Sequence, residues 1–259
     1  MEYMNDTIKK QLEHRTIREF TDEPISNEIM SRLTQVARQT ATSNGMQACS
    51  VIRITDQKIK NELADICKQE YVARMPEVWI FIVDQYRNGQ IAMEKNCQEK
   101  SICDMDRFFQ GFTDACLMAQ NMVNTAESIG LGTVYLGSIL NDPIKVVNLL
   151  KLPKLTFPAL GLGFGFPNQQ PQLKPRMEME LRVFENKYNE FNNYCDIISE
   201  YDEIMQTYYD IRQANERVDS FSDQIVTKLK NVNPKRQQIV NDIAQQGFDL
   251  MVPGTVNKQ

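Results

Sequence analysis

Residues 106–129 read as one long helix, and its composition dictates much of what the rest of the chain must do. Small residues, Gly111, Ala115, Ala119 and Ala126, alternate with Phe108, Phe112, Leu117, Met118, Met122 and Val123, so apolar side chains occupy more than one face. A helix that is apolar on several sides belongs inside a core with other elements packed around it. Gly130 is its expected stop, since glycine adopts the left-handed conformation that closes a helix C-terminus at little cost. At 259 residues, 42% of them hydrophobic, the chain can enclose such a helix in one large domain or in a domain with an appendage.

The elements around it follow from periodicity and caps. Ser26 can cap a helix running to Gln39, with Glu28 in the first turn and an apolar stripe of Ile29, Leu33, Val36 and Ala37. Residues 50–55 and 78–83 read as strands separated by a helix over 57–67, and the second strand is apolar throughout, hence buried on both faces. Residues 132–138 give a strand that runs into a Gly137-Ser138 turn, a place where backbone can approach a flat ligand. Asp142-Pro143 then opens a helix with an aspartate cap and proline at the first helical position. In Leu160-Gly161-Leu162-Gly163-Phe164-Gly165-Phe166 the glycines share one face, which predicts a strand with a bare side against which a helix packs closely. It is no dinucleotide fingerprint, because the spacing is GxGxG and Pro167 stands where a helix would begin.

After Pro167 the composition changes. Residues 168–175 read as an extended connector and residues 182–184 as extended chain, followed by polar helices over 196–213, 220–230 and 234–246. Helices that polar cannot form a core alone and are expected to wrap the main body or a second subunit.

A net charge of −5 and a pI near 5.2 exclude broad binding to nucleic acid or anionic membranes, both of which need a basic field. Within this acidic chain two short basic clusters stand out: His14-Arg15-Thr16-Ile17-Arg18, which holds the only histidine, and Leu173-Lys174-Pro175-Arg176. Forked arginine donors and a lysine point charge suit a phosphate, so folding that unites the clusters would make an anion site. The hydroxyl-rich segment from Thr40 to Gly45, including Thr42, Ser43 and Asn44, offers several donors to a ligand or is simply the loop that ends a helix. The six cysteines form no CxxC pair, and one histidine leaves no ordinary zinc set; reduced thiols in a cytosol, most of them in the core, are expected. No run approaches the roughly 18 apolar residues that span a bilayer, and the polar start has no signal-peptide pattern. With no nucleophile elbow, HExxH or Walker loop, any activity is expected to come from a bound cofactor.

Four blocks in order carry a resemblance: His14 to Ile25, Ile52-Arg53-Ile54-Thr55-Asp56, Gly130-Leu131-Gly132-Thr133-Val134-Tyr135-Leu136-Gly137, and Leu173-Lys174-Pro175-Arg176. With them the chain resembles the oxygen-insensitive NADPH nitroreductases and flavin reductases of the nitroreductase superfamily, most of all the NADPH-preferring major branch. The resemblance implies an α+β fold, a mixed, mainly antiparallel central sheet flanked by helices, in an intertwined homodimer with one FMN per subunit. Residues 1–167 would be the FMN-binding core, and residues 168–259 a connector and helical extension that wraps the core or the partner and completes the phosphate site. Position by position, His14, Arg15, Thr16 and Arg18 would line the phosphate, ribityl chain and pyrimidine edge of FMN, with Lys174 and Arg176 on the phosphate. Gln69 would touch the ring, Tyr135, Leu136, Gly137 and Ser138 would cover one face, and Thr42, Ser43 and Asn44 would come from the partner subunit. Arg212 and Arg217 would grip the 2′-phosphate of NADPH, and Arg18 would act electrostatically on a flavin that carries the chemistry. The implied activity is a cytoplasmic, ping-pong reduction of nitroaromatics, quinones or free flavin, small aromatic acceptors, by NADPH. A dedicated FMN reductase feeding a partner, a flavin-binding redox sensor and a helical interaction module are the other readings.

Overall fold

The computed structural model describes residues 4–210, 216–217 and 219–250. They divide into two units, the first made of residues up to 169 together with those from 233 onward, the second of residues 170–232.

In the first unit the chain forms α1 (Asp6–Leu12), α2 (Asn27–Arg38), β1 (Cys49–Ile54), α3 (Gln57–Cys67), α4 (Tyr71–Arg74), β2 (Glu77–Asp84), α5 (Tyr86–Glu94), α6 (Met105–Ser128), β3 (Gly132–Leu136), α7 (Pro143–Leu149) and β4 (Thr156–Gly165). The strands make one sheet in the order β1-β2-β4-β3, antiparallel at every strand pairing, in keeping with the mainly antiparallel sheet expected; a single bridge from Thr16 to Thr133 is parallel. All of β2 is buried, and the local caps work as anticipated: Ser26 Oγ accepts from Ile29 N–H, Asp142 accepts from Lys145 N–H, and Pro143 opens α7. At the end of α6, Gly130 takes φ +88°, which lets Leu131 N–H donate to Ala126 O at 3.0 Å.

The core lies between α6 and the sheet. Phe108 from the first turns of α6 meets Phe157 of β4 edge-on at 5.7 Å and Phe248 at 5.0 Å. Gly111 lets α6 approach β2 closely, since a Cβ there would sit 2.8 Å from Val83 Cγ1. The bare face of β4 is filled differently from the expectation. A Cβ at Gly163 would lie 2.2 Å from Met75 Sδ and one at Gly165 2.8 Å from Pro76 Cγ and 3.0 Å from Phe20 Cδ1, so single side chains occupy the space and no helix does. The thiols depart as well: all six are free, but only Cys49 and Cys67 are buried.

The second unit contains α8 (Tyr194–Ile197), α9 (Ser199–Thr207), a two-residue ladder of β5 (Tyr209–Asp210) with β6 (Glu216–Arg217), and α10 (Phe221–Lys230). The helix expected over 196–213 is thus shorter and broken. Residues 182–184 are not a strand: a 3-10 turn over Met179–Leu181 ends with Arg182 N–H and Val183 N–H both donating to Met179 O. Within the unit, Ser222 donates from N and Oγ to Asp202, and Tyr201 meets the ring of Phe221 at 5.3 Å. The chain re-enters the first unit with α11 (Ile239–Gln245), where Ile243 and Phe248 join the core cluster.

Candidate flavin site

β3 is an edge strand, and the first basic cluster lies along it. Thr16 bridges Thr133 in parallel, and Ile17 N–H donates to Thr133 O at 2.9 Å. Gly132 makes this approach possible: a Cβ there would be 2.6 Å from Ile17 Cγ1, and Ile17 is buried against the bare position. A few residues on, Thr21 N–H donates to Phe166 O, which ties the segment to the end of β4 as well. The basic residues are therefore held by backbone on a rigid sheet edge.

Two of them carry buried donors with no acceptor among the described residues, Arg15 Nε and Arg18 Nε. Arg15 uses a terminal nitrogen on Glu13 O at 2.9 Å, and the Arg18 guanidinium stands 6.0 Å above the Tyr71 ring. An unpaired buried guanidinium N–H is costly, so these donors call for an acceptor-rich, anionic ligand.

His14 Nδ1 lies 2.7 Å from Glu127 Oε1, and the same oxygen accepts the Thr133 hydroxyl at 2.6 Å. Tyr135 projects from the exposed side of β3 and donates to Gln120 Oε1 at 3.0 Å; burial first, then the charge of Glu127, raise its hydroxyl above the usual phenol range. At the far end of β3, Ser138 Oγ donates to Gln69 Oε1 at 2.8 Å. Gln69 reaches that position because Lys68 takes the left-handed conformation, φ 53°, after α3, and Gln69 N–H donates to Ala64 O. Cys67 sits buried beneath, its thiol pushed up by burial with the Ser138 hydrogen bond opposing. Leu136 is buried, whereas Gly137 faces open space and its carbonyl accepts from Arg236 at 3.4 Å. One edge of the sheet thus gathers His14, Arg15, Thr16, Arg18, Tyr135, Gly137, Ser138 and Gln69.

The hydroxyl loop is held elsewhere. Asp114, fully buried in α6, accepts Ser43 N–H at 2.7 Å and Ala48 N–H at 3.0 Å. Asn88 donates to Met46 O and Arg87 to Gln47 O, so the loop is braced from two sides with Asn44 at φ 52° and Thr42 and Ser43 half-buried. Asp114 and Glu127 lie on the same helix, separated by roughly 20 Å of axis at about 1.5 Å per residue. One chain does not bring Thr42, Ser43 and Asn44 to the basic edge. Lys174 and Arg176 lie on irregular chain in the second unit, where Tyr201 donates to the intervening Pro175 O at 3.3 Å. Arg217 is in β6, paired with Tyr209, and Arg212 lies outside the described residues. Sequence reasoning did not single out Glu127, Asp114 or Tyr71. The one available signal was a carboxylate at each end of an otherwise uncharged stretch of α6.

The nitroreductase family profile matches residues 12–166, and the profile of the family's C-terminal domain matches residues 174–251. The chain belongs to the nitroreductase family. Among this nitroreductase's relatives, the oxygen-insensitive NADPH nitroreductase of Salmonella typhimurium is 37% identical over 246 residues, covering 95% of this chain and 99% of that one. The FMN reductase (NADPH) of Bacillus subtilis is 34% identical over 250 residues, with 95% and 99% covered. The structure of NADPH:FMN oxidoreductase from Vibrio harveyi complexed with NAD+ superposes with a TM-score of 0.82 at 33% identity, covering 94% of this chain and 98% of that one.

Proposed function

We propose that this nitroreductase is an FMN-dependent NADPH oxidoreductase that reduces nitroaromatics, quinones or free flavin by ping-pong, two-electron transfer. The observation that carries the reading is the pair of buried, unpartnered nitrogens on Arg15 and Arg18 at the edge of β3, a donor set suited to a ligand with a phosphate and a carbonyl-bearing ring. FMN fits that requirement and, when bound, supplies the hydride chemistry. Arg15 holds the phosphate and His14 the ribityl portion, and Arg18 places positive charge beside the pyrimidine edge. Gln69 and Ser138, already hydrogen-bonded to each other, contact the ring, while Tyr135, Leu136 and exposed Gly137 form a wall that excludes water from one face. Lys174 and Arg176 are further phosphate ligands, and Arg212 and Arg217 hold the 2′-phosphate of NADPH.

The same reading includes a homodimer. Its support is the distance between the hydroxyl loop and the basic edge within one chain, together with the exposed apolar residues Phe109 and Leu117 on α6, 60% and 47% accessible. In the dimer Thr42, Ser43 and Asn44 of one subunit complete the site of the other, and the second unit serves as a wrapping extension. A cytoplasmic location accompanies this reading; no described helix is long and apolar enough to cross a membrane.

The test is the visible spectrum of the purified protein under anaerobic conditions, before and after NADPH and, separately, NADH. Flavin bands that bleach faster with NADPH support the proposal; a colourless protein that does not take up added FMN refutes it.

A further inference from the structure

The contact between Glu127 and His14 has a consequence for how the ligand is met. Glu127 is 13% exposed, His14 31%, and the carboxylate oxygen between them also receives the Thr133 hydroxyl. An ionised carboxylate offers only lone pairs. With a hydroxyl already donating to Oε1, the ring nitrogen 2.7 Å away must donate too, so Nδ1 carries hydrogen. That leaves Nε2 as the nitrogen presented to the ligand, and in the neutral ring it is an acceptor.

We infer that Glu127 is a positioning residue: it fixes His14 with hydrogen on Nδ1, so that Nε2 accepts from a hydroxyl or ring N–H of the bound flavin. The anion is left to the arginines. This division of labour rests on the flavin reading above and assigns His14 to a hydrogen-bond donor of the ligand, not to its phosphate. Two features support it. Glu127 is at the end of α6, one turn before the Gly130 stop, so its backbone is fixed by the core helix. Thr133 lies in β3, and its carbonyl also accepts Ile17 N–H, so the segment that follows His14 is tied by main chain to the residue that shares Glu127 with it. The geometry is thus set by main chain on both sides of the contact before any ligand arrives.

The experiment uses the fact that the chain has a single histidine. A long-range 15N–1H correlation spectrum of the uniformly labelled, FMN-loaded protein, recorded at a pH where the ring is neutral, contains one imidazole and needs no assignment. The expected pattern is hydrogen on Nδ1 and a bare Nε2. In Glu127→Leu the Nδ1–H pattern is lost and FMN binds about tenfold more weakly by fluorescence quenching, about 1.4 kcal/mol at 25 °C. In Thr133→Val, which leaves the carboxylate in place, the Nδ1–H pattern persists. A wild-type ring with hydrogen on Nε2 overturns the inference without recourse to a variant, as does Glu127→Leu protein with unchanged FMN affinity. Wild-type protein that binds no FMN is a different failure: it removes the flavin reading and with it the ligand half of this inference.

Discussion

In the proposed flavin reading, Arg18 is the residue on which most of the chemistry of the site depends. Its guanidinium stands 6.0 Å over the Tyr71 ring, with Nε buried and unpaired among the described residues. Arg18→Ala is expected to lower the midpoint potential of the bound flavin and slow its reduction by NADPH, because a cation beside the ring favours the form with more negative charge. Spectroelectrochemical titration of the variant reads the shift directly, and an unchanged potential removes Arg18 from that role. A second residue-scale expectation concerns Cys49, whose thiol is pushed up to about 12, first by burial and then by the charge of Asp114. The folded thiol stays protonated where the unfolded one ionises, so its contribution to stability is complete below pH 9 and is lost as pH rises from 9 towards 12. Each pH unit in that window should cost about 1.4 kcal/mol. Urea denaturation at pH 8 and pH 10 should show a steeper loss for the natural protein than for Cys49→Ala. The basic residues were legible in the sequence because a tight cationic cluster in an acidic chain is conspicuous. Glu127 was not, because a carboxylate reads as solvated surface until the fold brings His14 against it.

At the scale of elements, glycines and carboxylates set how closely the pieces approach. Gly132→Ala would drive a methyl into Ile17, whose Cβ lies 2.7 Å from the added atom, and overpacking of this kind costs about 1–3 kcal/mol. Because Ile17 belongs to the basic strip, the same variant should also weaken FMN binding, checked by thermal unfolding and flavin fluorescence on one preparation. Asp114→Ala removes the acceptor for the buried N–H of Ala48 and the half-buried N–H of Ser43 and is expected to cost about 3 kcal/mol. Hydrogen exchange should then quicken at Ser43 and Ala48 while β2 stays protected. The helices over Asn27–Arg38, Gln57–Cys67 and Met105–Ser128 were legible from caps and periodicity, signals carried within each segment. What fills the bare face of β4 was not, since Met75, Pro76 and Phe20 come from far upstream and nothing local to the strand encodes them. The turn at Arg182 escaped for a related reason: a 3-10 bend held by Met179 O has no hydrophobic period to read.

At the scale of the molecule, the proposed homodimer is the feature with the widest reach. Leu117→Arg puts a charge on the exposed apolar side of α6 and is expected to shift the protein from dimer to monomer in sedimentation equilibrium, with FMN retention falling in parallel. Retained flavin in a monomeric variant would show that the hydroxyl loop of a partner is dispensable. The composition changes after Pro167, close to where the second unit begins at residue 170, yet the return of residues 233–250 to the first unit was hidden, because α11 contributes only a few apolar side chains such as Ile243. α6 joins these scales, since it carries Asp114 beneath the loop and Glu127 beneath the basic edge. A helix turns by about 100° per residue. Inserting or deleting a single residue between the two carboxylates would swing one of them away from its partners, while a change of about seven residues, close to two full turns, would restore the facing but shift the spacing by about 10 Å. The stretch between Asp114 and Glu127 is therefore fixed in length by the contacts at its two ends.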